Sequence, residues 1–299
     1  MDMFIKVGML LVFFGVMIYV GFYCRKHSTD VNGFVLGGRS VGPWLTAFAY
    51  GTSYFSAVVF VGYAGQFGWK YGIAATWAGI GNALLGSLMA WAFLGRRTRV
   101  MTQHLDSATM PEFFGKRFQS PALRIAAAGI VFVFLIPYTA GVYKGISTLF
   151  EMGFNIPYEY CAVGMALFTA IYVIFGGYKA TAINDFIQGI IMLFGIITVI
   201  AAVLSTQGGL TQAIEKMATL PADDNPNTNG GFATLFGPDI KNLIGVVILT
   251  SLGTWGLPQM VGKFYAIKDT AAIKRGTVIS TVFCLIIGCG AYLIGSASR

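Results

Sequence analysis

Charged residues are scarce in this chain: Asp, Glu, Lys and Arg make up 11% of the 299 residues, against ~25% in soluble domains. That excludes the surface of an ordinary soluble enzyme. Histidine is nearly absent, with only His27 and His104, and the four cysteines, Cys24, Cys161, Cys284 and Cys289, form no CxxC pair. Both histidines fall in predicted loops far from any cysteine, so neither a zinc site nor a disulfide framework is spelled out. Two loop histidines and one intramembrane acid do not assemble a nucleophile, a base and an orienting group, which excludes an enzyme. The run from Met3 to Tyr23 lacks a basic leading segment and a small-residue cleavage site. It reads as a retained helix rather than a signal peptide.

What the chain has in abundance is apolar length. Hydrophobic residues make up 56% of it and the mean hydropathy is +0.71. Apolar runs of about 20 residues are what spanning helices require, so residues 1–299 read as a single all-α polytopic membrane domain. Apolar segments lie at about 4–23, 44–67, 72–94, 124–149, 157–175, 183–205, 241–262 and 276–297. Glycine is plentiful at 39 residues, as close helix packing in a bilayer demands. The net charge of +8 is spread between the spans rather than gathered in one domain with surface aromatics, so nucleic acid is not an expected partner. When alternate loops are assigned to opposite sides, only Lys6, Lys70, Lys144, Lys216, Lys241 and Arg299 of the 20 Lys and Arg residues fall on one side or within a span. The dense side is the cytoplasmic one, placing the N-terminus outside a cell membrane.

Two spans are interrupted. The stretch from Gly42 to Gly65 is long enough to cross a bilayer, but carries Gly51, Thr52, Ser53 and Ser56 where a plain anchor would carry Leu or Ile. An unpaired backbone group costs several kcal/mol in hydrocarbon, so such a break belongs where it faces protein, water or a bound ion. Residues 249–262 repeat the logic with Gly253, Gly256 and Pro258; the proline removes a donor and clashes with the preceding turn. Paired interrupted spans point to a transporter with a midplane site. The alternative is two unrelated kinks in packed helices.

Asp185, flanked by Asn184 and Gln188, is the acidic residue placed within a span. A carboxylate there costs on the order of 3 kcal/mol on insertion scales and either faces a cavity or pairs with a cation. It reads as a cation ligand, or else as a residue at a wet helix end. Lys144, between Gly141 and Gly145, either snorkels to the headgroups or supplies a countercharge for an anionic solute. In the loop 95–123, Thr109 and Glu112 have capping-box spacing before a short surface helix. The loop 206–240 opens with a second short helix, GGLTQAIEKM, and continues as a Pro-, Asn- and Gly-rich surface stretch in which Asp223 and Asp224 are solvating charges.

FVLGGRSVGPW ahead of the first interrupted span, FGGYKATAINDFIQG, and WGLPQ followed by FYAIKDTAAIKRG together resemble the sodium/solute symporter family. The match runs from Phe34 to Gly276, with the pantothenate and proline permease branch nearest through IPYE, NDFIQG and GLP. The resemblance implies a LeuT-like inverted-repeat fold. The chain would hold an extra N-terminal helix (4–23), a first five-helix repeat (44–205), an outer loop (206–240) and the first two helices of a second repeat (241–297). On this reading the fold is incomplete, with the family's eighth core helix and its sodium-binding hydroxyls falling past Arg299.

The resemblance also implies roles. Backbone carbonyls of Thr52 and Phe55 would hold sodium, and Asp185 matches the aspartate of a third sodium site in the sialic acid branch. Ser56 and Tyr54 stand where proline permeases carry a site serine and an aspartate important for sodium. Thr250 and Thr254 replace aromatic substrate contacts, which argues against proline; with Ser53, Tyr54, Ser56 and Lys144 they are the candidate solute contacts. The expected function is sodium-coupled symport of a small organic solute, a carboxylate among the candidates, with Na+ as the coupling ion. The alternatives are a membrane sensor that keeps the symporter shape and a fragment that does not transport.

Overall fold

The computed structural model of the chain describes residues 3–221 and 230–298; Asp223, Asp224 and Arg299 lie outside them. The described residues form α1 (Met3–Cys24), α2 (Val31–Leu36), α3 (Pro43–Tyr54), α4 (Ala64–Tyr71), α5 (Thr76–Gly81), α6 (Arg96–His104), α7 (Met110–Phe118), α8 (Pro121–Phe154), α9 (Tyr158–Gln207), α10 (Leu210–Thr219), α11 (Ile240–Leu252), α12 (Pro258–Ala266) and α13 (Thr270–Ala297). Runs of wider π-helical winding, Val58–Tyr63, Asn82–Met89 and Trp91–Gly95, join α3 to α4 and carry α5 on to α6. No strand forms among the described residues, only an isolated parallel bridge between Val41 and Ile267.

Among the described residues five helices are long and apolar enough to cross a membrane, and α11 with α12 makes a sixth span bent by 51°. Two of the six are divided by a glycine in a conformation other residues rarely adopt, Gly72 (φ 61°, ψ −144°) and Gly177 (φ 58°, ψ −156°), which gives the eight expected segments. The expected loop between 175 and 183 is replaced by this sharp break, after which the helix resumes directly. A Cβ on Gly177 would sit 2.9 Å from the Phe34 carbonyl oxygen, so the turn needs glycine for its dihedrals and for its space.

The chain divides into two compact units, one of Met1–Tyr50, Gly95–Ile187 and Val261–Gly276, the other of Gly51–Leu94, Gln188–Met260 and Thr277–Arg299. In the first, α1 lies against α9 at backbone distance: a Cβ on Gly176 would meet Gly21 Cα at 2.9 Å. Val20, Cys24 and Ala180 form the adjoining core, with Ile183 and Ile187 packed on it. A second core joins Leu36 to Val261 and Tyr265 and is covered by Met110 and Phe113 of α7.

Residues 96–104, expected within a loop, are helical in α6, and Arg99 anchors that helix. Its side chain is buried, and its guanidinium donates to the Ile267 and Lys268 carbonyls and to Gln103 Oε1. The bridge beside it donates from Val41 N–H to Ala266 O (3.3 Å) and from Lys268 N–H to Val41 O (3.0 Å). Arg39 donates to the Ser107 carbonyl (2.9 Å), so two cations staple the non-helical segments around α3 and α12.

In the second unit, α4 and α5 pack on the 277–297 portion of α13 through small residues. A Cβ on Gly68 would strike the Gly295 and Ser296 backbone, one on Gly295 the Ala64 carbonyl, and one on Gly79 the Gly288 and Cys289 backbone. Without a hydrophobic drive between helices in lipid, such close approach is what association rests on. Ser87 and Ser280, both fully buried, pair at 2.9 Å.

Candidate functional site

The first interrupted span breaks later than its glycine suggests. Gly51 lies inside α3, where a Cβ would strike the Phe283 ring, so it serves packing. The helix runs to Tyr54, and Phe55 N–H still closes on Gly51 O at 2.9 Å. The next two bonds, from Val59 (3.0 Å) and Phe60 (3.1 Å), both close on Ser56 O. Val59 would serve Phe55 O in a regular helix, so the ladder resumes one residue past Phe55 and leaves that carbonyl without its usual donor. Thr52, Ser53 and Ser56 are half-buried around the break, whereas Tyr54 and Phe55 are buried.

The second interruption follows the same physics from a different residue. Gly253–Gly256 tightens into a 3-10 turn, Leu257 is extended (φ −73°, ψ 123°), and α12 starts at Pro258. A residue before proline is driven out of helical conformation, so Pro258 dictates where the span bends.

Within the second unit these two regions share a hydrogen-bond network. Tyr54 Oη donates to the Thr250 carbonyl at 2.9 Å, and Gly86 leaves the room in which that hydroxyl lies. Thr250 Oγ1 and Ser251 Oγ donate to Asn82 Oδ1 at 2.9 and 3.2 Å, and Asn82 is fully buried. Trp255 Nε1 donates to Leu85 O at 2.9 Å, within the π-helical run Asn82–Met89. Thr254 is half-buried and its hydroxyl donates to Ser251 O (2.9 Å). The structure thus joins the candidates Tyr54 and Thr250, with Asn82 between the helices as their organiser.

In the first unit Asp185 has a partner that charge-counting by loops had assigned to a surface. Lys263, on α12, is 7% exposed, and its Nζ lies 3.4 Å from Asp185 Oδ2 and 5.3 Å from the centre of the Tyr178 ring. Neighbouring Asn184 donates to Met17 O at 3.5 Å and ties α9 to α1. Lys144 is exposed on α8.

Asn82 and Lys263 were missed by sequence reasoning. A lone amide in GIGNALLGSL is the kind of intramembrane polar residue that marks a helix contact, and was legible. Lys263 stands one residue past the apolar segment as bounded from sequence, and reads as a loop cation there.

The sequence profile of the Sodium:solute symporter family matches residues 34–297. The chain is similar to the osmoregulated proline transporter OpuE of Bacillus subtilis (strain 168), 31% identical over 290 residues that make up 95% of this chain and 56% of the relative. It is also similar to the sodium/proline symporter of Staphylococcus aureus (strain JH9), 30% identical over 96% of this chain and 55% of that protein. The chain therefore spans about half the length of the curated relatives it matches. Among solved structures, a substrate-bound, outward-open Na+-coupled sialic acid symporter superposes with a TM-score of 0.77 over 98% of this chain and 60% of its own, at 19% identity. That likeness shows the all-α LeuT-like fold. With its run of apolar helices and a profile match over most of its length, this multi-pass membrane chain belongs to the sodium:solute symporter family.

Proposed function

We propose that the chain forms the core of a sodium-coupled symporter for a small organic solute. The observation that carries this reading is the break at Phe55–Ser56, where the helical ladder passes over the Phe55 carbonyl. A backbone oxygen released from its donor is the hard, neutral ligand that an alkali cation takes, and discontinuous membrane helices supply it. In this reading Na+ rests against the Thr52 and Phe55 carbonyls, with Asp185 offering a second ion position. Ion binding holds the broken span in the shape that completes the solute pocket, so ion and solute raise each other's affinity, reciprocally.

The solute contacts are then Ser53, Tyr54, Ser56, Thr250 and Thr254, with Lys144 the least supported, because it is exposed. The two relatives are named for proline, itself a small carboxylate; we assign a small carboxylate, with the hydroxyl-bearing Thr250 and Thr254 among its contacts. The repeat boundaries (4–23, 44–205, 206–240, 241–297), the N-terminus outside the cell membrane and Na+ as coupling ion belong to the same proposal.

The test is uptake into proteoliposomes of labelled carboxylates, amino acids and sugars, under an inward Na+ gradient and under a K+ gradient of equal size. Uptake that follows the Na+ gradient and stops when it is dissipated supports the assignment. Equal uptake in Na+ and K+ overturns the coupling, and absence of uptake across the panel overturns transport by this chain.

A further inference from the structure

The Asp185–Lys263 pair carries an inference that rests on the reading of Asp185 as an ion position and goes beyond it. The Lys263 ammonium sits in a cradle of one carboxylate oxygen at 3.4 Å and one aromatic face at 5.3 Å. The side chains are only 9% and 22% exposed. The Tyr178 hydroxyl is buried, with no hydrogen-bond partner among the described residues, so its ring rather than its oxygen meets the cation. A carboxylate and a π-face attract a monovalent cation whether or not it is tethered to the chain. A sodium ion at Asp185 needs the same oxygen and the same space, and two unit charges a few ångströms apart in a poorly screened site repel strongly.

We infer that Lys263 is a tethered competitor for sodium at Asp185: the ion binds there only when the ammonium has left. Lys263 belongs to α12, the helix that begins at the bend of the second interrupted span. Ion arrival at Asp185 is thereby coupled to a displacement within that span. In the state described by the structure the position is filled by the protein itself, and the ion that enters must replace a bond the fold already has. Removing only one partner leaves a buried charge uncompensated. A chain lacking the ammonium is therefore expected to recruit sodium more avidly than the natural one.

The experiment measures thermal stability of the purified chain in NaCl, KCl and choline chloride at constant ionic strength, for the natural sequence, Lys263→Met, Lys263→Arg, Asp185→Asn and Asp185→Asn/Lys263→Met. Lys263→Met is expected to lose stability in choline and regain it in Na+, with a half-saturating concentration lower by about tenfold or more. Lys263→Arg keeps the natural value, and the double variant shows neither the loss in choline nor the gain in Na+. An unchanged Na+ half-saturation in Lys263→Met, together with loss of the natural chain's Na+ response in Asp185→Asn, overturns the competition and leaves Asp185 as an ion ligand. No Na+ response in any form overturns both, while the uptake measurement judges symport separately.

Discussion

At the scale of single residues, Glu112 shows how one side chain can set the pH range of a local structure. Thr109 caps α7, accepting from Glu112 N–H at 3.4 Å, and Glu112 Oε2 reaches back to accept from Ala108 N–H at 2.8 Å. Burial pushes the carboxyl up, but the Ala108 hydrogen bond and Lys116, at 2.9 Å, outweigh it and hold Glu112 below its ordinary value of 4.5. A depressed carboxylate contributes stability that is complete above the unfolded value and is lost as pH falls through the folded one. Hydrogen exchange of residues 110–118, corrected for intrinsic rates, is expected to stay constant from about pH 7 to about pH 5 and to rise below about pH 4. Glu112→Gln is expected to remove that dependence; identical profiles for the two proteins would refute it. The spacing of Thr109 and Glu112 made this cap legible in the sequence. The reach to Ala108 instead of Thr109 depends on the geometry of the turn, which spacing does not encode. Asn82 marks the opposite limit: its partner Thr250 is 168 positions away, so nothing near it announces the pairing.

At the scale of elements, glycine divides into two kinds that sequence alone does not separate. Gly65 has nothing within 4 Å of a built Cβ, whereas Gly68 and Gly79 abut the backbone of α13. Backbone cannot move aside as a side chain can, so overpacking here costs about 1–3 kcal/mol. Gly68→Ala and Gly79→Ala are expected to lower the melting temperature in detergent by several degrees, and Gly65→Ala to leave it within error. Three equal shifts would mean that the close approach carries no energy. Eight apolar segments were readable because a bilayer imposes a fixed length on each span. Within the interruption read from Gly51, Thr52, Ser53 and Ser56, the ladder breaks at Phe55–Ser56, while Gly51 serves to admit Phe283. Pro258 gave no such ambiguity, since a proline constrains the residue before it in any context.

At the scale of the whole molecule, the charge distribution yields a directional prediction. Glu215 is exposed on α10, in the segment assigned to the outer side, and three of the four native cysteines are buried while Cys289 is half-buried. Glu215→Cys is expected to react with a membrane-impermeant thiol reagent in intact cells, and the natural chain only weakly. Labelling of Glu215→Cys only after permeabilisation would reverse the orientation. Lysine and arginine gathered in alternate loops are what the expected orientation rests on, yet the same counting placed Lys263 in a loop and hid its pairing with Asp185. A bias summed over twenty residues survives one misplacement, whereas a two-residue site does not. The bridge from Val41 to Ile267 has a mechanical consequence. It fastens the leading end of α3 to the trailing end of α12, with Arg99 as a rivet across the joint. With those ends tied together, each span is weakest where its helical ladder is already broken, at Phe55–Ser56 and at Leu257, and a bend in either falls most easily there.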